Sequence, residues 1–260
     1  MTYEEFTDGI RKYKELFDKG LKKQANKQLF DFADKFKKEV LQAEGERGAA
    51  ADIPNNAWSA PRVSTVRLQP SSGDEILCRF CRELLDEGKY DEFWLCGSPR
   101  LPFQLTGLIF EYLNRECAEE KMPQMRWAYQ LFGKYYNPHD PQCAVDTYRI
   151  LAHAYDHPEC DQKTVDLYFD AQVNELGFGA HHFPEGCCIA REMYEDCISV
   201  CERILSEKQV HEGLAAGYRY YKALYELWYN WNDNGRSGDF TELCKANGLE
   251  FAPFKAYYYN

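Results

Sequence analysis

Residues 136–168 read YNPHDPQCAVDTYRILAHAYDHPECDQKTVDLY and repeat one pattern at an offset of 20 residues. Each copy begins with a proline-containing turn, at Pro138 and again at Pro158. Each copy then reaches a tyrosine, at Tyr148 and at Tyr168, with the same spacing. An offset of this size accommodates one helix and one turn, so the repeated unit is a single helix. The pattern predicts two helices stacked in antiparallel succession.

Helices and turns also alternate at the start of the chain. Thr2 and Glu5 have the spacing of a capping box, and Gly20 ends the apolar stripe that follows them. A second stripe runs from about Leu21 to Ala43. The two stripes predict a helical hairpin at the N-terminus.

The rest of the chain continues in the same way. Ser72 and Glu75 form another possible capping box before a helix, whereas the glycine-rich segment from Gly177 to Gly186 predicts an irregular connection. Nowhere does a sustained period-two alternation predict a hairpin of strands. The predicted fold class is all-α, with the N-terminal hairpin followed by an array of antiparallel helices. This architecture is similar to α-solenoid and helical-repeat proteins in general.

Residues 45–72 interrupt the helical pattern, because glycines, prolines and small residues leave no apolar period there. A stretch of this length in a domain is usually a linker, a disordered stretch or a functional loop. The sequence therefore predicts a hairpin over 1–44, a linker or long loop over 45–72, and a helical array over 73–260.

The composition is that of a globular protein, with 45% hydrophobic and 28% charged residues. The net charge of −11 repels the phosphate backbone, so we expect no nucleic-acid partner. An acidic surface can attract a basic protein, although a solvated acidic surface is the more common interpretation. Neither a basic and apolar leader nor a run of about 18 apolar residues is present, so we expect no membrane span. The 11 cysteines then predict reduced thiols in a cytoplasmic protein.

The glycine-rich segment contains the metal-ligand candidates His181, His182 and Cys187. Imidazole and thiolate groups on a loop can turn inward around a soft metal ion. However, adjacent residues seldom ligate one ion, and the aromatic neighbours suit an ordered, packed connection equally well. The sequence of this segment is compatible with a metal site and with a packed connection.

Two other pairs have ligand-like spacing but lack the remaining ligands. Cys78 and Cys81 lie on one face of a helix, and no second pair completes a zinc site. His153 and His157 are four residues apart, but Ala154 stands where the zinc-protease motif requires a glutamate. The simpler interpretation is that the two cysteines share one face of an amphipathic helix and that His157 interacts with the dipole at a helix end.

The helix predicted over about 210–231 carries an unusual number of aromatic side chains. They could line a site for an apolar or cationic ligand, although aromatic residues more often fill a helical core. The candidate binding residues are Tyr218, Tyr221, Tyr225, Trp228 and Trp231.

No nucleophile elbow, phosphate-binding loop or dinucleotide fingerprint occurs in the sequence, so we predict neither catalytic residues nor a cofactor. The function that fits best is a non-enzymatic, protein-binding helical module, because tyrosine and tryptophan are favoured at interfaces. A more specific version is an acidic inhibitor of a basic partner. The alternatives are a metal-dependent helical hydrolase and a small-molecule-binding helical domain.

Overall fold

The structure is a computed structural model, and it describes residues 1–41, 71–95, 98–133 and 147–253. These ranges contain ten α-helices, and their only strands form one two-stranded antiparallel pair. The predicted all-α class is confirmed. No helix in the described ranges combines the length and the apolar composition that a membrane span needs.

The chain divides into two compact units, residues 1–154 and residues 155–260. The predicted linker over 45–72 falls almost entirely outside the described residues, so the predicted three-part division stays a prediction. Each unit has its own buried residues and is described separately below.

The first unit begins with the predicted hairpin, α1 (Tyr3–Asp18) and α2 (Lys22–Phe36), which continues as a π-helical turn (Lys37–Leu41). The Thr2 hydroxyl accepts a hydrogen bond from the Glu5 amide, and the Glu5 carboxylate accepts one from the Thr2 amide. This is the predicted capping box, which satisfies backbone donors that a helix start leaves open.

The hairpin packs on the helices that follow it. These are α3 (Ser72–Leu85), α4 (Phe103–Ala118) and α5 (Gln124–Phe132), with a 3₁₀ turn (Asp91–Phe93) and the strands β1 (Trp94–Leu95) and β2 (Ser98–Pro99) between α3 and α4. The ring of Phe6 lies 5.3 Å from that of Phe36 and 5.5 Å from that of Phe80. Aromatic burial therefore joins the hairpin to α3.

The predicted capping box at the start of α3 is wrong by one residue. Ser71, not Ser72, accepts a hydrogen bond from the amide of Asp74, and Asp74 takes the role that Glu75 was expected to play. The aspartate carboxylate is shorter by one methylene group but still reaches the Ser71 amide, so the spacing of the motif is kept one residue earlier.

A buried ion pair connects α5 to the end of α3. Arg126, which is 2% exposed, donates hydrogen bonds of 2.7 and 3.3 Å to the Asp86 carboxylate. Trp127 Nε1 donates to the same carboxylate at 2.9 Å. The pair satisfies a charge that would otherwise be costly to bury.

Helix α6 (Thr147–Asp156) crosses the division between the units, and the second unit continues with α7 (Gln162–Gly179) and a 3₁₀ turn (Ala180–His182). Three further helices follow: α8 (Arg191–Glu207), α9 (Glu212–Asp233) and α10 (Phe240–Ala246). The first turn of the 20-residue repeat, before residue 147, lies outside the described residues. The stacking of α6 on α7 as repeat units stays a prediction.

The segment predicted to be irregular from Gly177 onward begins later, because α7 continues to Gly179. A Cβ atom at Gly177 would lie 3.0 Å from the Tyr221 hydroxyl, and one at Gly179 would overlap the Tyr225 hydroxyl. The two glycines therefore let α9 approach α7 closely and do not end the helix at residue 177.

Candidate functional site

The predicted aromatic binding residues occupy α9, and three of them face the interior of the second unit. Tyr218, Tyr225 and Trp228 are all buried. The Tyr218 hydroxyl donates a 2.6 Å hydrogen bond to Glu202 on α8, and the Tyr225 hydroxyl donates a 3.0 Å bond to the Leu176 carbonyl on α7. Their polar ends are satisfied within the protein, as buried tyrosines require.

Trp228 holds the connection between α7 and α8. Its ring stacks on that of Phe183 at a centroid distance of 4.7 Å, and its Nε1 donates to the Pro184 carbonyl at 3.1 Å. The remaining two candidates, Tyr221 and Trp231, are half-buried, and Trp231 Nε1 donates to the Ser237 carbonyl at 3.1 Å. All five side chains contact the protein's own helices or turns, and the binding interpretation stays a prediction.

The three metal-ligand candidates lie on the short connection after α7. His181 and His182 are exposed, with ring centroids 5.0 Å apart, and Cys187 Sγ lies 3.9 Å from the Tyr225 hydroxyl. Over the described ranges, no three His, Cys, Asp or Glu side chains are grouped so that they could hold a metal ion. The geometry therefore adds no support to the metal-site interpretation.

The negative charge expected from the composition is concentrated in the second unit. Residues 155–260 contain 18 Asp and Glu against nine Lys and Arg, which leaves a net charge of −9 out of the total of −11. Residues 1–154 contribute only −2. The net charge of the whole chain does not show this difference between the two units. The exposed acids of the second unit are therefore the ones that could form an acidic binding surface.

An acidic surface runs along α8. Glu192, Glu195 and Asp196 are exposed on this helix, and they are flanked by Glu175 of α7 and Glu226 of α9. None of these five carboxylates forms an ion pair with another described residue. We call these five residues the α8 acidic surface.

Effects on neighbouring side chains place the flanking acids beside α8. Burial raises the pKa of Tyr194 to about 12, and the negative charges of Glu226 and Glu195 add to the increase. Burial raises the pKa of Cys197 to about 11, with Glu175 contributing next. Glu226 and Glu175 therefore extend the α8 acidic surface onto both neighbouring helices.

Nearby basic side chains are already engaged by other carboxylates. Arg191 pairs with Asp233 at 2.8 Å, and Arg203 pairs with Asp156 at 3.0 Å. Lys222 binds Glu202 at 2.7 Å, and the charge of Glu226 also contributes to the raised pKa of Lys222 at longer range. The ion pairs of these cations are therefore formed with carboxylates outside the α8 acidic surface.

An apolar side chain stands at the edge of the α8 acidic surface. Met193 is 47% exposed and lies one residue after Glu192 and three before Asp196. Residues three apart on a helix are neighbours, so the Met193 thioether is bordered by the Asp196 carboxylate. A flexible, polarizable side chain in such a position suits contact with another protein.

A second feature lies in the first unit, where a solvent-open recess of about 350 Å³ is lined by residues of α1, of α3 and of the segment after α3. From α1 it is lined by Tyr3, Glu4, Thr7 and Arg11. From α3 and the residues after it, the lining consists of Arg79, Glu83, Lys89 and Tyr90. We call this feature the α1–α3 recess.

Glu83 is the centre of the α1–α3 recess. Its side chain is 8% exposed, and Oε2 accepts hydrogen bonds from Tyr3 at 2.8 Å and from Tyr90 at 3.1 Å. Oε1 contacts Arg79 Nε at 3.0 Å and Lys89 Nζ at 3.3 Å. Burial alone would raise the pKa of Glu83, but these hydrogen bonds outweigh it and hold the pKa below its ordinary value.

Two features show that the α1–α3 recess is held in a defined geometry. The Arg79 guanidinium lies over the Tyr3 ring at 4.0 Å, which fixes the plane of its nitrogens. Tyr90 has a left-handed backbone with φ of 64°, which is unfavourable for a bulky residue. Such strain persists only where surrounding contacts hold it, here the Glu83 hydrogen bond and the Phe80 ring at 5.1 Å.

The candidate site residues predicted from the sequence do not include Tyr3, Arg79, Glu83 or Tyr90. One local signal was available, because Arg79 and Glu83 have the i, i+4 spacing of a helical ion pair. The contribution of Tyr3 comes from 80 residues away and has no local signal. For the α8 acidic surface, the sequence predicted a negative net charge but not which carboxylates lie together.

Comparisons of the chain with protein-family models, with curated proteins and with solved structures give no match. The site geometry and the charge distribution are therefore the basis for the function proposed below.

Proposed function

We propose that the chain is a non-enzymatic protein-binding module that presents the α8 acidic surface to a basic partner protein. The observation that carries the proposal is a set of five carboxylates on three adjacent helices with no ion pair to a described residue. Like charges kept together without counterions oppose folding, and an external cation that binds them would relieve this repulsion.

The chemistry of the α8 acidic surface suits a basic protein surface. Carboxylates accept charge-assisted hydrogen bonds from arginine and lysine, and they accelerate encounter by electrostatic steering. Met193 supplies an apolar contact beside them, which gives the interface an element other than charge. Inhibition of the partner is the more specific form of the proposal, since an acidic surface can cover the basic site of its target.

The thiols are consistent with a reducing compartment. Every cysteine in the described ranges is free, including the pair Cys197 and Cys201 on successive turns of α8. Free thiols persist in the cytosol and are oxidised in secreted proteins. This supports the cytoplasm as the proposed location.

The test compares two variants with the same change of charge. The triple variant E192Q/E195Q/D196N neutralises the centre of the α8 acidic surface. The control E159Q/E185Q/E250Q neutralises three exposed acids elsewhere in the second unit, none of which forms an ion pair with a described residue. Both variants raise the net charge by the same amount, so only position differs.

Binding is measured by fluorescence anisotropy with a labelled lysine- and arginine-rich peptide. We expect the α8 variant to bind about tenfold or more weakly, since three exposed charge pairs contribute roughly 0.5 kcal/mol each or more. The control variant should remain within about threefold of the unmodified protein. Equal losses in the two variants would mean that only net charge matters, and the proposal would be wrong.

The same pair of variants identifies the natural partner. Proteins captured from cell extract by the unmodified chain are quantified against those captured by each variant. A basic protein lost with the α8 variant and kept with the control supports the proposal. If every captured protein is kept equally by the α8 variant, the acidic surface is not the interface.

A further inference from the structure

We propose that the α1–α3 recess binds a small organic molecule through a carboxylate group, with the guanidinium of Arg79 as its principal contact. This site is in the first unit and is independent of the α8 acidic surface. Four properties of the recess support this assignment: the compensated charge of Glu83, the open nitrogens of Arg79, the pairing of the other lining cations and the strained backbone at Tyr90.

The carboxylate of Glu83 acts as an internal anchor and does not act as a ligand-binding group. Both of its oxygens are engaged, Oε2 by the two tyrosine hydroxyls and Oε1 by Arg79 and Lys89. A buried carboxylate with four such partners has its charge compensated locally. It therefore offers little attraction to an external cation, while it fixes the positions of the groups around it.

Arg79 is oriented but only partly used. Its Nε donates to Glu83 at 3.0 Å, and its face rests on the Tyr3 ring. Its two terminal nitrogens form no hydrogen bond with any described residue. The Arg79 side chain is 59% exposed, so these two parallel N–H groups are open to solvent, and their geometry is the one that binds a carboxylate bidentately.

Arg11 places a second guanidinium at the α1–α3 recess. Its NH1 contacts Asp8, a neighbour on α1 that is outside the recess lining. Burial raises the pKa of Tyr90, and the positive charge of Arg11 opposes that increase, which places Arg11 near the Tyr90 hydroxyl. The two arginines therefore border the same space from opposite helices.

The unused nitrogens of Arg79 favour a monoanion. Of the other two cations in the lining, Arg11 pairs with Asp8 and Lys89 pairs with Glu87. A single carboxylate matches the two terminal N–H groups of Arg79. A phosphate dianion carries a second negative charge and would be repelled by the glutamates of the recess. The volume of about 350 Å³ is within the range of small-molecule sites.

The left-handed backbone of Tyr90 belongs to the same cluster. A left-handed conformation at a bulky residue costs about 1–3 kcal/mol and persists only where surrounding contacts hold it. In this conformation the Tyr90 hydroxyl donates to Glu83 and completes the anchor of the recess.

The experiment titrates the full-length protein with benzoate, and separately with inorganic phosphate, while two-dimensional NMR follows the backbone amides and the arginine Nε–H groups. We expect saturable benzoate shifts at Tyr3, Arg79, Lys89 and Tyr90, with a Kd in the millimolar range that is usual for a fragment of this size. No saturable shift at these residues with benzoate would overturn the proposal. Tighter binding of phosphate than of benzoate would overturn the assignment to a carboxylate.

Three variants test the role of Arg79. R79K keeps the charge but removes the bidentate fork, R79Q removes both, and R82Q is a control with the same charge change on the same helix. We expect benzoate affinity to fall about fivefold or more in R79K, further in R79Q, and to stay unchanged in R82Q. Because R79K keeps the charge next to Glu83, its spectrum also verifies that the fold is intact. Equal affinities in R79K and R82Q would contradict the proposal.

Discussion

The Tyr3 hydroxyl donates a 2.8 Å hydrogen bond to Oε2 of Glu83, which is 80 residues further along the chain. The bond joins the first turn of α1 to the last turn of α3, and the contact between Phe6 and Phe80 joins the same two helices. Docking of α1 on α3 therefore combines a polar contact with an aromatic one. The Glu83 carboxylate supplies the polar contact.

The first prediction concerns the Glu83 anchor. Glu83→Gln removes the charge that binds Arg79 and Lys89 but keeps the shape of the side chain. We expect the free energy of opening of α1 and α3 to fall by about 2 kcal/mol, since hydrogen bonds to a charged group are the strong ones. Hydrogen exchange of peptides from these helices measures the change.

Glu87→Gln is the matched control, because Glu87 is exposed and its only ion pair among the described residues is with Lys89. Its effect should stay within about 0.5 kcal/mol. The folded pKa of Glu83 is below its ordinary value of 4.5, so its charge stabilises the fold fully above that pH. The difference between the unmodified protein and Glu83→Gln should shrink as the pH falls through the lowered pKa. A difference that grows at low pH would contradict this assignment.

The second prediction concerns the buried pair of Arg126 and Asp86. Asp86→Asn leaves a guanidinium that stays charged in a buried position, so we expect a loss of about 3 kcal/mol in the free energy of unfolding of the first unit. Urea unfolding monitored by hydrogen exchange of α5 measures it.

Asp91→Asn supplies the comparison for the buried pair, because Asp91 is exposed and forms no ion pair with a described residue. It should change the stability by no more than about 0.5 kcal/mol. Similar losses in the two variants would show that the Asp86 charge has no special role.

The third prediction tests the close approach of α7 and α9. In Gly179→Ala the new Cβ atom would overlap the Tyr225 hydroxyl and would lie 2.5 Å from Cγ1 of Ile189. We expect a loss of about 1–3 kcal/mol from overpacking, measured by urea unfolding of the second unit. Gly186→Ala meets nothing within 4 Å and should be neutral. A neutral Gly179→Ala would show that the helices separate easily.

The fourth prediction concerns the thiols. Burial raises the pKa of Cys81 well above its ordinary value and that of Cys201 to about 12, so neither forms the reactive thiolate at neutral pH. Cys187 and Cys188 are half-buried on the connection before α8. Iodoacetamide should modify this second pair more than about tenfold faster, as measured by mass spectrometry of the native protein. Equal rates would show that the core thiols open freely.

Local signals predicted much of the fold, and long-range contacts account for the errors. Thr2 and Glu5 cap α1 within one turn of helix, so their spacing alone was sufficient. Gly177 and Gly179 look like helix breakers in the sequence, yet each makes room for a tyrosine more than 40 residues away. A glycine needed for close packing cannot be distinguished from a turn glycine without the partner helix.

The candidate sites were less predictable than the fold. The composition predicts an acidic surface, but which carboxylates stay unpaired depends on tertiary contacts such as that of Lys222 with Glu202. The α1–α3 recess requires the hairpin to pack on α3, which joins residues far apart in the chain. The number of aromatic residues on α9 suggested a binding site, whereas the structure places Tyr218, Tyr225 and Trp228 in the interior.

Because Arg126 is buried, the rate of tryptic cleavage after this residue measures how often the first unit opens locally. Trypsin cuts after arginine, and the bond between Arg126 and Trp127 lies within a helix whose arginine is 2% exposed. Cleavage there requires the helix to open, so its rate at low protease concentration counts the transiently open molecules. A ligand that binds the folded first unit at the α1–α3 recess lowers the population of open molecules and would slow this cut, so the rate of cleavage after Arg126 reports binding without a label.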